Sequence, residues 1–120
     1  MLICPEEDGG LGTPRLPAEI VGGDGHAVLQ GRARVVASDG RDVTKEYVRG
    51  AHLALEAATR AGARTAILKA RSPSCGRGDI YDGTFERRLT AGDGVTAALL
   101  QRAGIEIEQD EGRGHEDRRT

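Results

Sequence analysis

The chain has 120 residues, 38% of them apolar, which bounds it to one domain whose thin core buries roughly two thirds of the unfolded surface. Its 17 basic residues against 19 acidic ones, a formal net charge of −2, argue against a general polyanion binder. No apolar run nears the roughly 20 residues of a membrane span, the start lacks a signal-peptide profile, and two cysteines, Cys4 and Cys75, make no disulfide framework, which points to a reducing cytoplasm.

In chain order, residues 2–3 have strand character, and the rest of 1–26 reads as irregular. Pro14 and Pro17 bar a regular helix there. Asp-Gly recurs at Asp8, Asp24, Asp39, Asp82 and Asp93, and each pair is a turn signal because Gly accepts positive φ. Residues 27–29 and 33–37 flank Gln30-Gly31 and predict a small hairpin. The spacing of Tyr47, Ala51, Ala54, Leu55 and Ala58 predicts a helix over 43–61. Asp42 or Thr44 can cap its start, and Gly62 stands where a helix ends. A strand over 65–70 follows, buried on at least one face. A second helix fits 95–103, with Val95, Ala98 and Leu99 inward and Gly104 as its stop. Residues 105–107 suit a last strand. Residues 110–120 are polar and read as a disordered tail. The order helix, strand, helix, strand predicts an α/β fold: a single layered domain over 1–109, with a short, mainly parallel sheet flanked by helices.

Chemistry concentrates around the cysteines. Cys75 lies in Ser72-Pro73-Ser74-Cys75-Gly76, directly after the strand 65–70, and Cys4 lies in Cys4-Pro5-Glu6, directly after the strand at 2–3. If the two strands run parallel in one sheet, both thiols emerge at its carboxyl edge, where open α/β sheets bind ligands. Thiolates there favour soft metals such as zinc or an iron–sulfur cluster. The plainer readings stand beside this one. A buried Cys is most often a small hydrophobe, Ser72 and Ser74 serve equally as turn formers, and Glu6 as a solvated acid.

Other stretches carry weaker signals. Residues 22–25 and 92–94 are glycine-rich, but neither has the spacing of a phosphate-binding loop. The second runs into a helix start at Val95, where an anion can dock, although Asp93 or Gly94 as a simple cap is the commoner case. Arg15 stands on a rigid segment between Pro14 and Pro17. It can fork onto a carboxylate or phosphate, or tie its own loop to Glu19 or Asp24. Residues 81–85 gather Tyr81 and Phe85, two of the three aromatics. They form a wall for a flat ring or a turn with a minor core. His26, His52 and His115 do not cluster, and His52 falls on the polar side of its helix. The aromatics are too few to stack single-stranded nucleic acid.

Several ordered motifs add a resemblance. Cys4-Pro5-Glu6, Thr13-Pro14-Arg15-x-Pro17-Ala18-Glu19-Ile20, Gly23-Asp24-Gly25, Ala33-Arg34-Val35-Val36, Asp42-Val43-Thr44, Ser72-Pro73-Ser74-Cys75-Gly76, Ile80-Tyr81-Asp82-Gly83-Thr84-Phe85 and the run from Gly92 to Leu100 stand in this order. Together, over about residues 3–109, they resemble the bacterial domain-of-unknown-function 523 family of thiouracil desulfidase-like proteins. The resemblance implies an α/β fold, a 4Fe-4S cluster held by three cysteines, and desulfuration of 2-thiouracil-like bases to uracil and sulfide. It implies Cys4 and Cys75 as cluster ligands, and Glu6 and Ser72 as proton-transfer residues. Arg15, Ser74 and Tyr81 are the expected substrate contacts. The expected partner is a small thiolated nucleobase, with no membrane and no nucleic acid.

The chain also departs from that pattern. Family members begin with a further strand, a loop bearing the third cysteine and a helix, none of which precedes Cys4, and Leu16 replaces a usual proline. The expectation is a family member that lacks its first strand and helix, through a misplaced start, a decayed gene or a third ligand supplied by a partner chain, with a cluster that two thiolates alone hold weakly. The alternative is a non-catalytic small-molecule binding module, or a decayed paralogue without a cluster.

Overall fold

The computed structural model describes residues 17–69 and 72–110. Its elements run β1 (Ala18–Val21), α1 (Gly25–Leu29), β2 (Arg34–Ala37), α2 (Thr44–Ala61), β3 (Thr65–Lys69), β4 (Asp79–Tyr81), β5 (Leu89–Ala91), α3 (Val95–Arg102) and β6 (Glu106–Asp110). The fold is α/β. Strands β3 and β6 form the expected parallel pair, with Thr65 opposite Glu106 and Leu68 opposite Gln109. Two antiparallel pairs accompany it, β1 with β2 and β4 with β5.

Helix α2 forms as its periodicity predicts. Tyr47, Gly50, Ala51, Ala54 and Ala58 are its buried residues. It stops at Gly62, whose φ of 67° is left-handed and costs glycine nothing. At its start the Asp42 carboxylate accepts the Thr44 N–H at 2.9 Å. The Thr44 hydroxyl first, and then this N–H, hold the Asp42 carboxyl below its ordinary range. The Thr44 hydroxyl in turn accepts the Val35 N–H at 2.9 Å, which ties the helix to β2. Helix α3 packs against α2, α1 and β6. Contact on several sides buries Val95, Thr96, Ala97, Ala98 and Leu100, so Leu100 lies deeper than the expected Leu99, which is partly buried.

Three local expectations change. Residues 18–21 form a strand rather than irregular chain, because Pro17 ends before it and Ile20 and Glu19 turn into the interior. Residues 27–29 belong to a helix, not a hairpin arm. Asp24 caps that helix, its Oδ1 accepting the Ala27 N–H at 3.3 Å, so an Asp-Gly that reads as a turn opens α1 instead. The partner of β2 is therefore β1. Strands β4 and β5 were not expected, since three residues each, with all of β5 exposed, leave no alternation to read.

The core divides in two. One cluster gathers Ile20, Val35, Tyr47, Ala51, Ile80 and Val95 with their neighbours. The other gathers Ala58, Ala66, Leu68, Cys75, Ala97, Leu100 and Ile105. Fully buried Leu68 alone contributes about 2 kcal/mol of apolar burial. No helix among the described residues is long and apolar enough to cross a membrane.

Candidate functional site: the Cys75 loop on helix α3

The loop after β3 is built onto the start of α3. The first turn of a helix leaves four N–H groups without helical partners. Here the loop supplies the acceptors. The Pro73 carbonyl takes the Val95 N–H at 2.8 Å, and the Ser74 carbonyl takes Thr96 at 2.7 Å and Ala97 at 3.1 Å. The Gly76 carbonyl takes the Gly94 N–H at 2.7 Å. Gly94, not Asp93, is the N-cap residue. The helix terminus is thereby satisfied by main chain, which removes it as an anion-docking point.

Side chains reinforce the joint. The Ser74 and Thr96 hydroxyls share a 2.7 Å hydrogen bond, and both residues are almost fully buried. The Ser72 hydroxyl accepts the Cys75 N–H at 2.7 Å, and the Ser72 carbonyl accepts the Gly76 N–H at 3.0 Å. Cys75 is held inside this turn and is 2% exposed, packed in the second core cluster. From the opposite side, the Gln109 carboxamide of β6 donates to the Cys75 carbonyl at 3.3 Å and accepts the Arg77 N–H at 3.0 Å.

A second polar knot lies beside it. Asp93 accepts the Gly78 N–H at 2.8 Å through Oδ1 and meets His26 Nε2 at 3.1 Å through Oδ2. Burial pushes its carboxyl up, but the Gly78, His26 and Gln101 dipoles outweigh that and leave it below the ordinary range. The Asp24 carboxylate accepts the Asp93 N–H at 3.3 Å. The two Gly-Asp-Gly motifs therefore interlock as structure.

Two of the expected substrate contacts, Ser74 and Tyr81, lie among the described residues. Ser74 turns its hydroxyl inward to Thr96, so its side chain serves the loop joint. Tyr81 is half-buried at the end of β4, opposite Leu89. The turn after it is held by a buried acid that the sequence did not single out as functional. Glu19 Oε1 accepts the N–H groups of Gly83 at 2.9 Å and Phe85 at 3.0 Å. Phe85 is exposed, with a left-handed φ of 61°. A cleft of about 470 Å³ lies on the other flank, lined by Arg77, Gln101, Gly104, Ile105, Glu106 and Ile107. Cys4, Glu6 and Arg15 lie outside the described residues, as do the expected strand at 2–3 and the tail beyond 110.

Thr96 and Gln109 also escaped the sequence reading. Thr96 carried one usable signal, a hydroxyl between Val95 and Ala97 on a helix with no exposed face there. Gln109 carried none.

The donor chemistry at Cys75 suits iron or another soft metal, since a thiolate is the ligand such metals prefer. Among the described residues no three His, Cys, Asp or Glu side chains gather to hold a metal ion. A full ligand set must draw on residues outside them, Cys4 being the nearest candidate in kind.

The profile of the family described as 2-thiouracil desulfurase matches residues 1–112. The Bacillus subtilis (strain 168) protein YbbK, itself uncharacterized, is 50% identical over 107 residues, covering 89% of this chain and 71% of the relative. The solved structure of the 4Fe-4S-dependent thiouracil desulfidase TudS superposes with a TM-score of 0.77 at 48% identity. That match covers 91% of this chain and 66% of the solved one, so the chain spans just under two thirds of that structure. With nearly its whole length matched, the chain belongs to the 2-thiouracil desulfurase family of thiouracil desulfidase-like, domain-of-unknown-function 523 proteins.

Proposed function

We propose that the chain desulfurates a thiolated pyrimidine base, with Cys75 and Cys4 as thiolate ligands of a 4Fe-4S cluster. The reaction balances as a hydrolysis: water adds at the C=S carbon, the C–S bond breaks, and the products are the oxo base and hydrogen sulfide. When bound, a cluster with an iron not taken by protein would supply a Lewis acid for the substrate sulfur.

The observation that carries the proposal is the construction of the Cys75 turn. Five main-chain hydrogen bonds from α3 and from within the loop, with the Ser74–Thr96 bond, fix the backbone that bears the thiol. Such preorganisation is what a metal ligand needs and what a filler of core space does not. The same turn gives Ser72 its part. Its oxygen accepts the Cys75 N–H, so the hydroxyl proton stays available to donate beside the thiol. Sulfur departs more readily when a proton reaches it. Glu6 is the proposed base for water, and Arg15 and Tyr81 are the proposed contacts of the pyrimidine. Ser74 belongs to the scaffold of the turn.

The test is sulfide and uracil release from 2-thiouracil by the anaerobically reconstituted chain. The expected result is equal yields of the two products, lost in Cys75→Ala and reduced about a hundredfold in Ser72→Ala, the range typical of a lost general acid. Binding of the base without turnover in the iron-loaded chain would instead mark a non-catalytic module.

A further inference from the structure

The backbone polar groups that hold Cys75 find their partners in three places. The Cys75 and Gly76 N–H groups go to Ser72. The Pro73, Ser74 and Gly76 carbonyls go to α3. The Cys75 carbonyl goes to Gln109 Nε2 at 3.3 Å, and the same carboxamide accepts the Arg77 N–H at 3.0 Å through Oε1. Gln109 thus spans the two peptide groups either side of Gly76, as a neighbouring strand would. It does so from β6, where its own backbone lies opposite Leu68 of β3. The strand that precedes the loop and the side chain that pins it are therefore locked to one another.

Gly76 is the link that this clamp spans, in addition to its own bonds to Ser72 and Gly94. A Cβ there would meet the Asp79 carbonyl and Ile80 at 2.8 Å, so the position excludes any larger residue. A glycine is also the most freely rotating link in a chain. Rotation about it would swing Arg77 away and pull the Gly76 carbonyl off the Gly94 N–H. The carboxamide opposes that rotation by holding the groups on both sides at once.

We propose that Gln109 is a positioning residue for the Cys75 thiolate, fixing the peptide groups that flank Gly76 so that the sulfur keeps its direction toward a bound cluster. The inference rests on the reading of Cys75 as a cluster ligand.

Two variants test it. Gln109→Met keeps length and removes both hydrogen bonds. Gln109→Glu keeps an acceptor for the Arg77 N–H and loses the donor to the Cys75 carbonyl. The first readout is loss of cluster absorption in excess chelator under anaerobic conditions. Gln109→Met is expected to lose its cluster about tenfold faster than wild type, the lower end of the effect of removing a group that orients a ligand. The second readout is alkylation of Cys75 in the metal-free chain, located by peptide mass. It is expected to rise several-fold in Gln109→Met, in line with freer local opening. Gln109→Glu is expected to fall between wild type and Gln109→Met in both. Gln109→Met matching wild type in both readouts overturns the inference. So does a faster loss that merely follows a lower Tm, with Gln109→Glu no different from Gln109→Met. A wild-type chain that takes up no iron overturns instead the reading on which the inference rests, and the inference falls with it.

Discussion

Gly25 and Gly94 touch backbone to backbone. The Gly25 N–H donates to the Asp93 carbonyl at 2.6 Å, and a Cβ on Gly25 would lie 2.6 Å from the Val95 nitrogen and closer still to the Gly94 carbonyl. Gly94 in turn leaves no room on its other side, where a Cβ would fall against the Ser74 carbonyl and 2.7 Å from the Cys75 nitrogen. The three segments stack as layers, with the Cys75 turn on top. Glycine is required at both positions because the neighbours are main chain and cannot yield. Gly94→Ala is expected to destabilise the fold by about 3 kcal/mol through this overpacking. Thermal melting checks it, and Gly31→Ala serves as a control. Gly31 faces open space but has a left-handed φ, so its loss is expected to be the smaller of the two.

The Ser74–Thr96 bond makes a second prediction. Both hydroxyls are buried, so removing one orphans the other. Thr96→Val is expected to cost about 2 kcal/mol, the penalty of a buried polar group left unpaired. Adding Ser74→Ala to it is expected to return part of that loss. A double-mutant cycle by chemical denaturation reads the coupling directly.

Glu19 holds the loop between β4 and β5 through two main-chain N–H groups. Glu19→Ala is expected to speed amide hydrogen exchange at Gly83 and Phe85 while leaving α2 protected. Glu19→Gln retains an acceptor oxygen and is expected to lie between the two, because hydrogen bonds to a charged group contribute about twice those to a neutral one.

Asp93 adds a pH dependence whose sign follows from its lowered carboxyl. A group whose pKa falls on folding contributes stability above its unfolded value, here 3.8, and loses it as pH falls below that through the folded value. Wild type is therefore expected to exceed Asp93→Asn in stability at pH 5 to 6, with the gap closing as pH drops below about 3.8. Urea unfolding at a series of pH values reads this gap.

Much of the scaffold was legible beforehand, and for physical reasons. Helix α2 shows a long run of small apolar residues at helical spacing, and β3 a compact apolar run between two glycines. The Cys75 turn was marked by Pro73 and Gly76. Tertiary polar contacts were not legible. Glu19, Thr96 and Gln109 act on main-chain or hydroxyl groups 22 to 66 residues away, and nothing in their local sequence announces that. Gly25 and Gly94 were visible as turn glycines but act as contact points between segments. Strands β4 and β5 are set by pairing with each other, not by any alternation of their own.

The central claim is that the Cys75 turn holds iron. Its most direct measurement is iron and acid-labile sulfide per chain after anaerobic reconstitution, with the visible spectrum, for wild type and Cys75→Ala side by side. The account predicts a cluster spectrum with iron and sulfide in equal amounts for wild type, and neither in the folded variant. Equal iron in both, or none in wild type, would contradict it.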